Sequence, residues 1–398
     1  MNEEWRRAGV TIVQFKSIWS FWLLLLECIA ALSIAQAAQA QLYYGGYGYQ
    51  TYFSEISDEF PYISSILSGE TGVQFERQLY NQLPDITMGG TPVLKDGLAT
   101  LAEKPLVFGL VFTSETVHSE QIASSYKLLV VLNAQILIFD FNRSEIVASF
   151  PVSARFIDVL TEPPGEKDIA SLVDQALSSG SDASISSQFL TKVTAISEPA
   201  ISARMVRVTN VNIADETLNT LQKSSNPDAF RRRLADEFSA RLSTNQKIAV
   251  LPANVSQAIN NSMAARMADG TVYNITIPDA DYNIDISIDG LKKVEYATNN
   301  IGTTYVYGVF ASFKFHEPHS GHVFFDEKLK LGQPQSIPKT AVVEGDSLAF
   351  VETIDKLFDE FTFEIGQNNN QWAEAHIYSA KAPRQSMKKL DALMEACR

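Results

Sequence analysis

Three of the chain's five histidines fall within seven residues, in His316-Glu317-Pro318-His319-Ser320-Gly321-His322. Imidazole nitrogens with a nearby carboxylate are ligands for Zn²⁺, Cu²⁺ or Ni²⁺. Pro318 and Gly321 are turn residues, so the segment reads as a hairpin tip. His316 and His322 would face each other across it, with His319 at the apex. The spacing nominates His316, His319 and His322 as a superficial metal site. The alternative is a solvated tip whose Pro and Gly serve only the turn.

Other chemistry is sparse. Asp279 and Asp281, or Asp285 and Asp289, could act as acid and base, but in an acidic protein such pairs are the wet face of a strand or turn. No G-x-S-x-G elbow and no Gly-Lys-Ser phosphate loop occurs. Gly302 and Gly308 lack the spacing of a dinucleotide fingerprint. Cys397 lies one residue from the end, with His376 the histidine nearest to it, and a tail thiol is a poor nucleophile. We nominate no catalytic residue and no cofactor.

The elements that must position these groups follow from periodicity. Leu94, Leu98 and Leu101 predict a helix over 94–103. Pro105 to Phe112 reads as a buried strand, and Tyr126 to Phe141 as a long aliphatic one. Asn142-Arg143-Ser144 turns the chain into a return strand, Glu145 to Val152. A helix follows over 167–177. The same order recurs later. Ala229 to Leu242 is a helix with Phe230, Leu234, Phe238 and Leu242 four apart, and Asp228 stands at its start. Gln246 to Leu251 is a strand, and 257–267 a helix. Tyr282 to Ile288 alternates as a half-buried strand. Thr303 to Phe315 and His322 to Leu331 form a hairpin, and Ser347 to Phe361 closes the unit as a helix. Asp140–Ser149 can be laid on His316–Phe325. The chain therefore reads as α/β (α+β), two tandem small units with mixed sheets and an internal duplication. On the helix 229–242, Arg233 and Glu237 are four apart and pair on a solvated side.

The first forty residues have another character. Arg6, Arg7 and Lys16 precede the apolar run around Phe21-Trp22-Leu23-Leu24-Leu25-Leu26. Small residues lead to Ala38-Gln39-Ala40, an A-x-A site that would release a chain starting at Gln41. From Ile18 to Ala40 the stretch is also long enough to span a bilayer, so an uncleaved anchor stays open. Either way the body is exported, to the periplasm or beyond, or held at the membrane by this segment. Cleavage would remove Cys28 and leave Cys397 without an intramolecular partner, so the fold must rest on its core.

Formal charge is -14. An acidic surface disfavours a phosphate backbone, so nucleic acid is not an expected partner, and a membrane only through the leader. Just after the leader, Tyr43, Tyr44, Tyr47 and Tyr49 alternate with glycine. The stretch reads as a flexible spacer, or as an aromatic segment that contacts a partner. The divisions are a leader over 1–40, a Tyr/Gly-rich lead-in over 41–90, units over 91–215 and 216–366, and a polar, loosely attached tail over 367–398.

One resemblance can be placed on residues. An Ala-, Arg- and Leu-rich helix is followed by Lys247-Ile248-Ala249-Val250-Leu251-Pro252. Then come Asp281-Tyr282-Asn283-Ile284, a hairpin at Ser320-Gly321 and a long helix. This order, over about residues 228 to 363, resembles the small α/β domain of the TolB N-terminal and CsgG-type envelope proteins. The chain shows neither the lipobox of CsgG-type lipoproteins nor the propeller repeats that follow in TolB. The resemblance implies an envelope location and assembly work, and assigns no catalytic residue. The expected function is a non-enzymatic exported envelope protein that binds an envelope or extracellular protein. The alternatives are an exported hydrolase or a superficial metal binder.

Overall fold

The computed structural model describes residues 42–50, 56–83, 87–88, 91–94, 106–140, 143–178, 180–196, 204–221, 227–253, 262–267, 272–339 and 345–398. The leader, with Ala38, Ala40 and Gln41, lies outside them, as do residues 95–103 of the helix expected after Leu94.

The tyrosine–glycine segment is the first strand, β1 (Leu42–Tyr49). Short helices α1 (Ile56–Glu59) and α2 (Pro61–Ile66) and the longer α3 (Gly69–Asn81) follow. Then come β2 (Thr87–Met88), β3 (Thr91–Leu94), β4 (Leu106–Ile122), β5 (Ser125–Asp140) and β6 (Glu145–Leu160). Two helices close this part, α4 (Glu166–Ser178) and α5 (Ile185–Ala195). The second part opens on β7 (Val206–Ile213), α6 (Asp215–Leu221), α7 (Pro227–Gln246) and β8 (Val250–Leu251). It continues through β9 (Ser262–Met267), β10 (Val272–Thr276), β11 (Tyr282–Thr298), β12 (Gly302–His316) and β13 (Val323–Pro338). It ends in α8 (Ser347–Glu364), α9 (Asn370–His376) and α10 (Pro383–Glu395).

The class is α/β, and the duplication is written in the strand order. The first sheet contains β3-β1-β4-β5-β6 and the second reads β8-β7-β11-β12-β13. In both, a central strand pairs in parallel with two neighbours, β1 with β3 and β4, and β7 with β8 and β11. In both, an antiparallel meander of three long strands completes the run. Even the irregularities match. The register slips between Phe112 and Ser114 of β4, where pairing with β1 stops at Tyr49↔Phe112. It slips between Ile288 and Gly290 of β11, where pairing with β7 stops at Ile288↔Ile213.

Three expectations about organisation need correction. The repeats start at β1 and β7, so the lead-in over 41–90 belongs to the first unit and 206–213 to the second. Residues Gln41–Arg398 form one compact unit. Part of the expected helix over 257–267 is strand β9, which with β10 extends the first sheet. Thr276 of β10 pairs with Glu145 of β6, and β9 returns to β1 through Gly48↔Met267 and Tyr49↔Arg266.

The spacer expectation fails for a physical reason. Tyr43, Tyr44, Tyr47 and Tyr49 are all buried. Between the pairs Tyr44↔Phe108 and Tyr47↔Leu110, two residues of β1, Gly45 and Gly46, oppose one of β4, Gly109. That bulge, with Gly46 at φ +88°, needs glycine. It brings Tyr44 and Tyr47 to one face, against Phe108 at 5.4 Å and Phe75 at 5.6 Å. The aromatic rings are core and are not offered to a partner.

The tail is core as well. Trp372, Ile377, Leu390, Leu393, Met394 and Cys397 join the second sheet's cluster. Tyr378 N–H donates to Lys328 O at 3.0 Å and Ser379 Oγ accepts from Lys328 N–H at 2.7 Å, which covers the edge of β13. No helix among the described residues is long and apolar enough to cross a membrane.

Candidate functional site

Helix α7 decides how the repeats meet. Leu234, Phe238 and Leu242 point to the second sheet, with Phe238 at 5.5 Å from Phe313 and 5.2 Å from Phe358. The opposite side carries Arg233, Asp236, Glu237 and Ser243, and all four are buried. They lie over the outer face of the first sheet, whose middle is polar: Asn133, Gln135 and Ser149 are buried there. The expectation of a solvated Arg233–Glu237 face is therefore overturned, although the two do pair at 3.5 Å.

Around this helix runs a charge network. Arg155 of β6 binds Asp355 of α8 at 2.5 Å, and Arg241 reaches the same carboxylate at 3.2 Å and Asp359 at 3.6 Å. Lys127 of β5 meets Glu352 at 2.5 Å. Lys192 donates to Pro151 O at 2.5 Å and Ser243 Oγ at 3.2 Å. With no carboxylate beside it, burial lowers its ammonium to about 7.

Beside α7 a cavity of about 510 Å³ opens over β4, lined among others by Glu59, Phe60, Glu115, His118, Arg232 and Arg233. Several of its polar groups are engaged. Arg232 pairs with Glu59 at 3.5 Å, and Arg233 covers the Phe230 ring at 4.5 Å. The two oxygens of Glu115 accept N–H groups of Tyr62 at 3.0 Å and Ile63 at 2.8 Å, at the start of α2. Burial raises Glu115 to about 7 against those hydrogen bonds, and Asp236 to about 7 against Thr113 and Arg232. Glu115 thus caps a helix, and the arrangement clamps elements to one another.

The histidine hairpin does not assemble. His316 Nε2 lies 3.2 Å from Asp285 on the neighbouring strand, and His322 packs edge-on against Phe324 at 4.6 Å. His319 is exposed at the tip. Among the described residues no three His, Cys, Asp or Glu side chains gather to hold a metal. The aspartates lie on wet surfaces: Asp285 accepts from Thr209 Oγ1 at 3.1 Å, Asp289 from Ser312, and Asp281 from Met205 N–H at 2.8 Å. Cys397 is buried, and burial pushes its thiol up to about 12.

The opposite end of the second sheet is open. β11 runs on past its last pair with β7, and residues 292–298 are all exposed, on alternate faces alike. Tyr296 is 76% exposed and Ile301, at the turn into β12, is 81%. Sequence reasoning missed this arm because it ended the strands at Ile288 and Leu331. The alternation of apolar residues stops there, while β-forming residues continue through Val294 and Tyr296. It missed the buried network because charge was read as solvent exposure. The available signal was α7 itself, whose side opposite the apolar stripe contains Ser239, Ala240 and Ser243, small residues that permit close packing.

No protein-family model matches the chain, and no curated protein matches it. Solved structures with similar parts include protein XCC0632 from Xanthomonas campestris, described by the family model DUF330. Identity is 12%, over 44% of this chain and 90% of that one, at a TM-score of 0.25. A neuraminyllactose-binding hemagglutinin homolog from Helicobacter pylori is 10% identical over 47% of this chain and 91% of its own, at 0.26. A minor lipoprotein from Acinetobacter baumannii is 12% identical over 42% and 95%, at 0.20.

Proposed function

We propose that this is an exported cell-envelope protein that works by binding other proteins. The observation that carries the reading is the β11–β13 arm. Residues 292–298 of β11 are exposed on both faces of this three-stranded blade, with Tyr296 and Ile301 exposed at its end. Exposed apolar groups on a regular element favour contact with another protein. The leader, with its basic start, apolar run and A-x-A site, supports export. The acidic balance supports a protein partner over nucleic acid. In the large cavity Glu59, Arg232 and Glu115 are committed to internal pairs, which favours the blade as the candidate for contact.

The test is a photo-crosslinking amino acid at position 296, with the full chain expressed in its own cells. An adduct with a defined protein is expected from position 296 and not from Asp326, on the outer face of β13. Absence of any adduct at 294, 296 and 301 would overturn the reading.

A further inference from the structure

We propose that the blade's partner is a second copy of this chain, joined edge to edge through residues 290–298 of β11 in antiparallel register. The proposal rests on the protein-binding reading above and names its partner.

The edge is open in the hydrogen-bonding sense. On one side β11 pairs with β12 down to Thr298↔Thr303, with a register slip at Tyr296 between Glu295↔Tyr305 and Ala297↔Thr304, so the regular run about Val294 is Gly290–Glu295. On the other, pairing with β7 ends at Ile288, and no described strand continues it. An unpaired strand edge presents a row of N–H and C=O groups that another strand can satisfy.

The sequence of that edge is Gly290-Leu291-Lys292-Lys293-Val294-Glu295-Tyr296-Ala297-Thr298, and it is complementary to itself about Val294. An antiparallel pair centred there sets Val294 against Val294. Lys293 falls opposite Glu295 on both sides of the axis, and Lys292 opposite Tyr296. Opposite charges and aromatic groups facing across strands each stabilise an antiparallel pair by ~0.2–1 kcal/mol. The arrangement is a two-fold, isologous contact that closes at two copies. A parallel, in-register pair would set lysine on lysine twice, so the charges choose the direction. Lys293 already reaches Asp346 at 2.7 Å, and Glu295 accepts from Thr298 Oγ1 at 2.7 Å. An ammonium has three donors and a carboxylate several acceptor sites, so both can take the additional partner.

The register gives a decisive experiment on the full chain carrying Cys28→Ser. Val294→Cys would place two thiols on the two-fold axis. Directly opposed Cα atoms on antiparallel strands lie ~4.5–5.5 Å apart, within the ~4.4–6.8 Å that a disulfide spans. Thr298→Cys would sit opposite Gly290, with its two thiols separated by eight residues, ~26 Å along the strand. Under mild oxidation a disulfide-linked dimer is expected from Val294→Cys and not from Thr298→Cys. No Val294→Cys dimer, or equal yields from both, overturns the proposal.

Sedimentation equilibrium gives a second reading without new thiols. Glu295→Lys should weaken dimerisation about tenfold, because two cross-strand pairs are lost. Lys293→Glu combined with Glu295→Lys should restore it. Failure of the double variant to recover, with its melting curve intact, also counts against the register. An adduct between position 296 and a different protein, with Val294→Cys monomeric, would sink this inference and leave the protein-binding reading standing. Loss of both results would sink both.

Discussion

The two three-stranded arms are equivalent in topology and opposite in fate. In the first repeat, β4 beyond its bulge is tied to helices. Glu115 caps α2, and Glu120 accepts the Leu348 N–H at 3.3 Å at the start of α8. Leu348 packs on Leu129 and Val131. In the second repeat, β11 beyond its bulge pairs with β12 on one side, and no described strand follows β7 on the other. The difference follows from order along the chain. The second repeat supplies helices α7 and α8, and each presents two faces, one to its own sheet and one to the sheet before it. The two repeats thus differ in that one arm is covered by helices of the other repeat, while residues 292–298 of the second arm are exposed.

That comparison can be broken most severely at Asp355. Asp355→Ala removes the carboxylate that Arg155 binds in the contact between repeats and leaves Arg241 only Asp359, and loss of one partner from a buried network costs about 3–5 kcal/mol. Urea unfolding should register it, and a change under 1 kcal/mol would mean that the network does not hold the covered arm.

Acid should strengthen the covered arm. The Glu115 and Asp236 carboxyls titrate near pH 4 in an unfolded chain and at about 7 when folded. Between those values the folded chain binds more protons, so stability falls as pH rises from about 4 to 7, by up to ~3 kcal/mol per group. Lys192 acts in the opposite sense above pH 7, where the folded chain holds fewer protons up to about 10.5. Urea midpoints from pH 4.5 to 7.5 should decline, and Glu115→Gln with Asp236→Asn should flatten the slope. A midpoint that rises over this range would contradict the burial of both carboxyls.

Leu348→Ala opens a space against Leu129 and Val131 and should cost about 2–3 kcal/mol. Tyr296→Ser, on the bare arm, should shift stability by less than ~0.5 kcal/mol while reducing crosslinking at the blade. A large loss of stability from Tyr296→Ser would show that the bare arm is packed after all.

Much of the fold was legible because burial imposes period. The apolar runs of β4, β5 and β6, the alternation in Tyr282 to Ile288, and the four-residue spacing in α7 and α8 are local signatures of a buried face. Together with the hairpins, they were enough to suggest a repeat. Helix α5 was missed. So was the bulge in β1, because Gly45-Gly46 between tyrosines is locally the same whether the segment is a spacer or a strand.

The sequence by itself determined the acidic balance, the α/β class and the meanders with their closing helices. These depend on composition and on residues near one another in the chain. Tertiary structure alone decided which charges are buried, that Tyr43, Tyr44, Tyr47 and Tyr49 are core, that the histidines of the hairpin part company, and which arm is left bare. Each of those depends on what packs from a hundred or more residues away, or on which face a register slip presents. Neither quantity is written in local spacing.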